Sequence, residues 1–133
     1  MEMIKSYTDI EQSRKLAEIL SADSADMRIG NYVGKFGKVD GTNVHYYPKG
    51  ESFGAPEIIS AWSLAALLEQ IAKHGILDLY FLHSTFDNKG NHLTNVWNLM
   101  FDDIGNVSLN IYADNPVDAC YEIILKLHEH KML

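Results

Sequence analysis

Cysteine occurs once and proline three times in 133 residues. The lone Cys120 cannot close an internal disulfide, which excludes a cross-linked scaffold and gives a mild lean toward a reducing compartment. Three prolines and nine glycines fall far below collagen-like or low-complexity composition. Only two basic residues are arginine, Arg14 and Arg28, so planar clamps for phosphate are scarce. The longest apolar stretches, around Ile58–Leu68 and Ile76–Leu82, are short and interrupted. A membrane-spanning helix needs about 20 such residues. The opening Met1–Tyr7 shows no basic segment followed by an apolar one, so no secretory leader is expected and cytoplasmic is the default localisation.

What remains is an ordinary globular composition, 47% hydrophobic and 22% charged, and 1–133 is expected to form a single domain. Eleven basic residues face eighteen acidic ones, a net charge of −7. That balance argues against a general nucleic-acid binder, whose affinity comes from counterion release.

Thr8-Asp9-Ile10-Glu11 reads as a capping box opening a helix over Asp9–Leu20. Asp40-Gly41 between Tyr32–Val39 and Thr42–Tyr47 reads as a tight hairpin turn, followed by a Lys49–Pro56 loop. A second helix is expected over Ala61–His74, capped by Ser60 or Ser63, with Gly75 in the left-handed position after it. Leu77–Phe86, Leu93–Phe101 and Val107–Tyr112 are strand-like and joined by short loops, which predicts an antiparallel meander. Asp114-Asn115-Pro116 starts a third helix with Val117, Cys120, Tyr121, Ile124, Leu127 and His128 as its apolar stripe. The expected class is α+β: three helices on one antiparallel sheet of about five strands, in the order α-β-β-α-β-β-β-α.

Three blocks carry a resemblance. They are Thr8–Ser13 running into Lys15–Leu20, Trp62–Leu68, and Asp114–Glu122 continuing to Lys126–Glu129. Together they resemble a group of short uncharacterised proteins encoded by gut bacteria and their phages or other mobile elements. The resemblance implies an intracellular protein of bacterial or phage origin. It has no assigned activity, so no functional residue is carried over with it.

Six histidines (His45, His74, His83, His92, His128, His130) show no helical i,i+3 or i,i+4 pair, so no metal site is expected. The loosest grouping that could hold a cation is His83, Asp87 and His92 around one turn. Cys120 lies on an apolar stripe and reads as a buried structural thiol. Gly30-x-x-x-Gly34-Lys35-Phe36 is one residue short of a phosphate loop and has Phe where Ser or Thr would hold magnesium. Asp102 and Asp103 occupy a turn, where such residues are expected anyway. No catalytic residue and no cofactor are expected.

Charge supplies the one regional contrast. Met27–Lys49 holds four basic residues (Arg28, Lys35, Lys38, Lys49) against Asp40 alone, net +3, and the segments on either side are negative. Tyr32, Phe36, Tyr46 and Tyr47 are interleaved with them. Lys35, Lys38, Tyr46 and Tyr47 are therefore the candidate partner-binding residues. The leading expectation is a small non-enzymatic protein-interaction domain, accessory or inhibitory, with an unknown protein partner. A small-molecule-binding domain or enzyme with a sheet–helix pocket, and a weak single-stranded nucleic-acid contact through 27–49, are the alternatives. Self-association stays open.

Overall fold

The computed structural model describes residues 5–34, 37, 39, 41, 43–51, 54–103 and 106–133. The described chain contains three α-helices and six strands, arranged as two three-stranded antiparallel sheets. Its contacts divide it into two compact units. One is Tyr7–Ala66; the other is Leu67–Leu133 with the described residues of Met1–Ser6. Among the described residues, no helix is long and apolar enough to cross a membrane.

The first unit is built on helix α1 (Ile10–Ala17) and strands β1 (Met27–Asn31), β2 (Val44–Pro48) and β3 (Glu57–Ala61), in the order β2-β1-β3. The cap of α1 is Asp9, not Thr8. The Asp9 carboxylate accepts from the Gln12 amide, and the Gln12 side chain accepts from the Asp9 amide. Thr8 is fully buried and joins other elements: its Oγ1 accepts from the Trp62 amide at 3.1 Å and lies 2.7 Å from Ser13 Oγ. Ile29, Ile59 and Ala61 form the buried cluster of this sheet, with Ile10, Met27, Val44 and Tyr46 packed around it.

The hairpin expected at Asp40-Gly41 has different arms. Pairing runs from Met27↔Pro48 to Asn31↔Val44, so the first arm is β1, and none of the described residues of Tyr32–Val39 lies in a strand. Asp40 and Thr42 lie outside the described residues. β1 precedes the expected first arm, and β3 is a strand with no counterpart in the sequence-based expectation. Five residues following Pro56 and containing a serine offer too short an alternation to separate a strand from a loop.

In the second unit, strands β4 (Ile76–Phe86), β5 (His92–Asp103) and β6 (Val107–Ala113) form the expected meander. Helix α3 (Pro116–Glu129) packs on β5 and β6. Asn115 caps it, accepting from the Asp118 amide at 2.8 Å, with Pro116 in its first turn. The stripe Val117, Cys120, Ile123, Ile124 and Leu127 is buried, whereas His128 is exposed and Tyr121 half-buried. The five-strand single sheet is thereby corrected to two sheets of three.

Helix α2 spans Leu64–Ala72. Ser63 Oγ accepts from the Ala66 amide, as its expected cap role requires, and Asp26 in turn binds the Ser63 amide and hydroxyl. Gly75 does not take the left-handed conformation assigned to it from sequence. Its requirement is space: a Cβ there would lie 2.6 Å from the Asp102 carbonyl and 2.8 Å from the Phe101 ring.

Candidate functional site

Of the four residues singled out from sequence, Tyr46 and Tyr47 are described. Lys35 and Lys38 lie outside the described residues. Tyr46 and Tyr47 are adjacent on β2, so alternation sends them to opposite faces. Tyr46 turns to the packed face. Its ring lies 4.1 Å from the Tyr7 ring, and its hydroxyl donates to the Thr8 carbonyl at 3.2 Å. Burial, then the nearby Tyr7 and Asp9, raise its hydroxyl pKa.

Tyr47 belongs to the other face, opposite Arg28 in the β1 register. Its hydroxyl lies 2.6 Å from that of Tyr32, and this hydrogen bond, with some burial, pushes its pKa up to about 12. His45 meets the edge of the Tyr32 ring at 5.1 Å and stacks on Tyr47 at 6.5 Å. Gly30 leaves the gap these rings fill: an added Cβ would sit 2.9 Å from the Tyr47 ring. Arg28 Nε is buried there without a hydrogen-bond partner.

The remaining candidates separate. His83 and His92 project from opposite faces of the β4–β5 hairpin. His83 Nδ1 is 3.2 Å from Asn95 Oδ1, while His92 Nε2 is 2.8 Å from Ser84 Oγ. Between them the Asp87 carboxylate is engaged by its own turn, accepting from the amides of Lys89 and Asn91 at 2.9 and 2.8 Å. Those bonds, the Asn91 amide first, lower its pKa. Cys120 is fully buried, and burial pushes its thiol up to about 12, which removes the thiolate that nucleophilic chemistry needs. Asp102 and Asp103 are consecutive in β5 and so point to opposite faces. Gly30 lies inside β1, not in a loop leading to a helix.

A different surface stands out. On β4–β5–β6, one face carries Leu77, Leu79, Leu99, Phe101, Leu109 and Ile111, among which Leu99, Phe101 and Ile111 are buried. The opposite face carries Ile76, Tyr80 and Met100, exposed at 55, 48 and 44%. Its rows follow from the register: Ile76, Asp102 and Ser108 lie side by side, then Asp78, Met100 and Asn110, then Tyr80, Asn98 and Tyr112. A shallow cavity of about 290 Å³ opens on the first two rows, lined by these six residues with Phe101 and Leu109. Deeper along the face, buried Asn98 donates to Asn110 and to the Ile111 carbonyl, which fixes the polar centre of the sheet.

β4 and β5 also continue beyond β6. β6 pairs with β5 only over Trp97–Asp103, whereas β4–β5 pairing reaches Phe86↔His92. The result is a two-stranded arm bearing the exposed Phe86 ring, 5.2 Å from the His92 ring.

Sequence analysis gives this face no role, because local pattern does not tell which side of a sheet the rest of the chain covers. The available signal was alternation: Ile76, Tyr80 and Leu82 share parity with Asp78 and Ser84, so one face of β4 mixes apolar and polar residues. No protein-family model matches the chain, and neither the curated proteins nor the solved structures give a match.

Proposed function

We propose that the chain is a small non-enzymatic protein-interaction domain, an accessory or inhibitory factor of bacterial or phage origin. One observation carries this reading: the face of β4–β5–β6 opposite the buried residues Leu99, Phe101 and Ile111 leaves Ile76, Tyr80 and Met100 in solvent. Antiparallel sheets tolerate one wet face when that face is polar. Large apolar side chains gathered there mark a surface that another molecule covers. The aromatic and methionine side chains suit the task, since tyrosine gives contact area at low entropic cost and methionine adapts its shape.

The test is affinity capture from native cell extract, run in parallel with wild type, a Tyr80→Ser/Met100→Ser variant and a Tyr47→Ala variant. The double variant is expected to lose the captured protein while keeping the wild-type melting temperature. Loss in Tyr47→Ala alone would move the site to the other sheet.

A second reading has its own observation. Tyr32, His45 and Tyr47 beside the unpartnered Arg28 Nε make an aromatic, cationic surface of the kind that stacks bases. This is the single-stranded nucleic-acid contact, weakened by the net charge of −7. Fluorescence anisotropy with a labelled oligothymidylate separates it, because such binding falls steeply with salt.

A further inference from the structure

We infer that the partner of the β4–β5–β6 face is a basic protein segment, whose Lys or Arg side chain seats between Asp78 and Asp102 while its apolar neighbours cover Ile76 and Met100. This rests on the protein-interaction reading and adds the partner's chemistry to it.

Register places the two carboxylates. Asp78 lies opposite Met100 and Asp102 opposite Ile76, so the acids are diagonal neighbours across β4 and β5. Diagonal positions of that kind are about 7–8 Å apart, close enough for one cation to reach both carboxylates. The apolar side chains occupy the other diagonal, giving a checkerboard of two negative charges and two hydrophobic contacts around the 290 Å³ cavity. A lysine or arginine complements that pattern in charge and in apolar contact. Its methylene stem packs on Ile76 and Met100, and its charged head meets the carboxylates.

Charge also decides against other occupants. Both aspartates are exposed, and neither has an ion pair among the described residues. The β4, β5 and β6 positions that share this face, Ile76 to Phe86, His92 to Asp102 and Ser108 to Tyr112 taken alternately, include no Lys or Arg. Two carboxylates therefore stand close together without internal neutralisation, which like charges on neighbouring strands oppose. A second copy docking by the same face would bring four carboxylates together, and a nucleic acid would bring phosphates. Like-charge juxtaposition of this sort rejects partners. A basic segment turns the same repulsion into attraction.

The experiment is an amide NMR titration of the full chain with an end-capped peptide alternating lysine and valine. Two control peptides carry serine or glutamate in place of lysine. The lysine peptide is expected to shift the amides of Ile76, Asp78, Met100, Asp102 and Ser108, and less so at high salt. An Asp78→Asn/Asp102→Asn variant, altered only at exposed positions, should keep its spectrum elsewhere and bind on the order of tenfold more weakly. Unchanged binding by that variant, shifts confined to other residues, or no shifts overturns the inference. Equal binding of the serine or glutamate peptide at the same amides also overturns it, yet leaves the protein-interaction reading standing. That reading fails separately if the Tyr80→Ser/Met100→Ser variant captures its partner as well as wild type.

Discussion

At the scale of single residues, Thr8 and Gly75 have roles that differ from those their local sequence suggests. Thr8 was legible as a helix-start residue, yet the structure uses its hydroxyl to receive the Trp62 amide, and Asp9 caps the helix one position later. Capping chemistry alone cannot distinguish two adjacent candidates; tertiary contact decided between them. Thr8→Val leaves the Trp62 amide without that acceptor and should destabilise by about 1–3 kcal/mol in urea denaturation, with Thr8→Ser nearer wild type. Local sequence suggests a left-handed terminator at Gly75, but its constraint is the approach of β5, a long-range contact invisible in local sequence. Gly75→Ala should therefore cost about 1–3 kcal/mol through overpacking, visible as a lower Tm. Cys120 was legible from its apolar neighbours. Its thiol should resist a disulfide reagent in the native state and react on unfolding. Because the folded pKa is raised from 9.0 to about 12, its contribution to stability is intact below pH 9 and declines as pH rises through that window.

At the scale of elements, the meander and the third helix were legible because short turns and clean alternation are local properties. β4, β5 and β6 differ from the expected ranges by only a residue or two at their ends. The first sheet was less legible: β1 contains Gly30 and Asn31, β3 is short, and their pairing joins residues far apart in sequence. A local pattern cannot report such register. The β4–β5 arm yields a prediction of its own, since a two-stranded ribbon is marginal unless its turn holds it. Here Asp87 holds the turn through the amides of Lys89 and Asn91. Asp87→Ala should accelerate hydrogen exchange at Asn91 and along the arm while leaving Leu99 and Phe101 protected. Acid should do the same to wild type. The Asp87 pKa is depressed below 3.8, so its stabilisation is present above that pH and is lost as pH falls through the folded-state value.

For the whole molecule, charge was legible in total but not in placement. Sequence reports charge per segment, as in the basic stretch Met27–Lys49, whereas binding depends on charge per face. Tyr46 is committed to packing, and Tyr47 is tied to Tyr32. The sheet face that exposes Ile76, Tyr80 and Met100 combines residues from β4, β5 and β6 that are separated by two loops. Methyl NMR with cross-saturation from a captured partner tests the central claim most directly. Saturation should reach the Ile76 and Met100 methyl groups and spare Ile58, the exposed isoleucine on the opposite sheet face of the first unit. Saturation at Ile58 with none at Ile76 or Met100 would contradict the account and place the partner on the Tyr47 side.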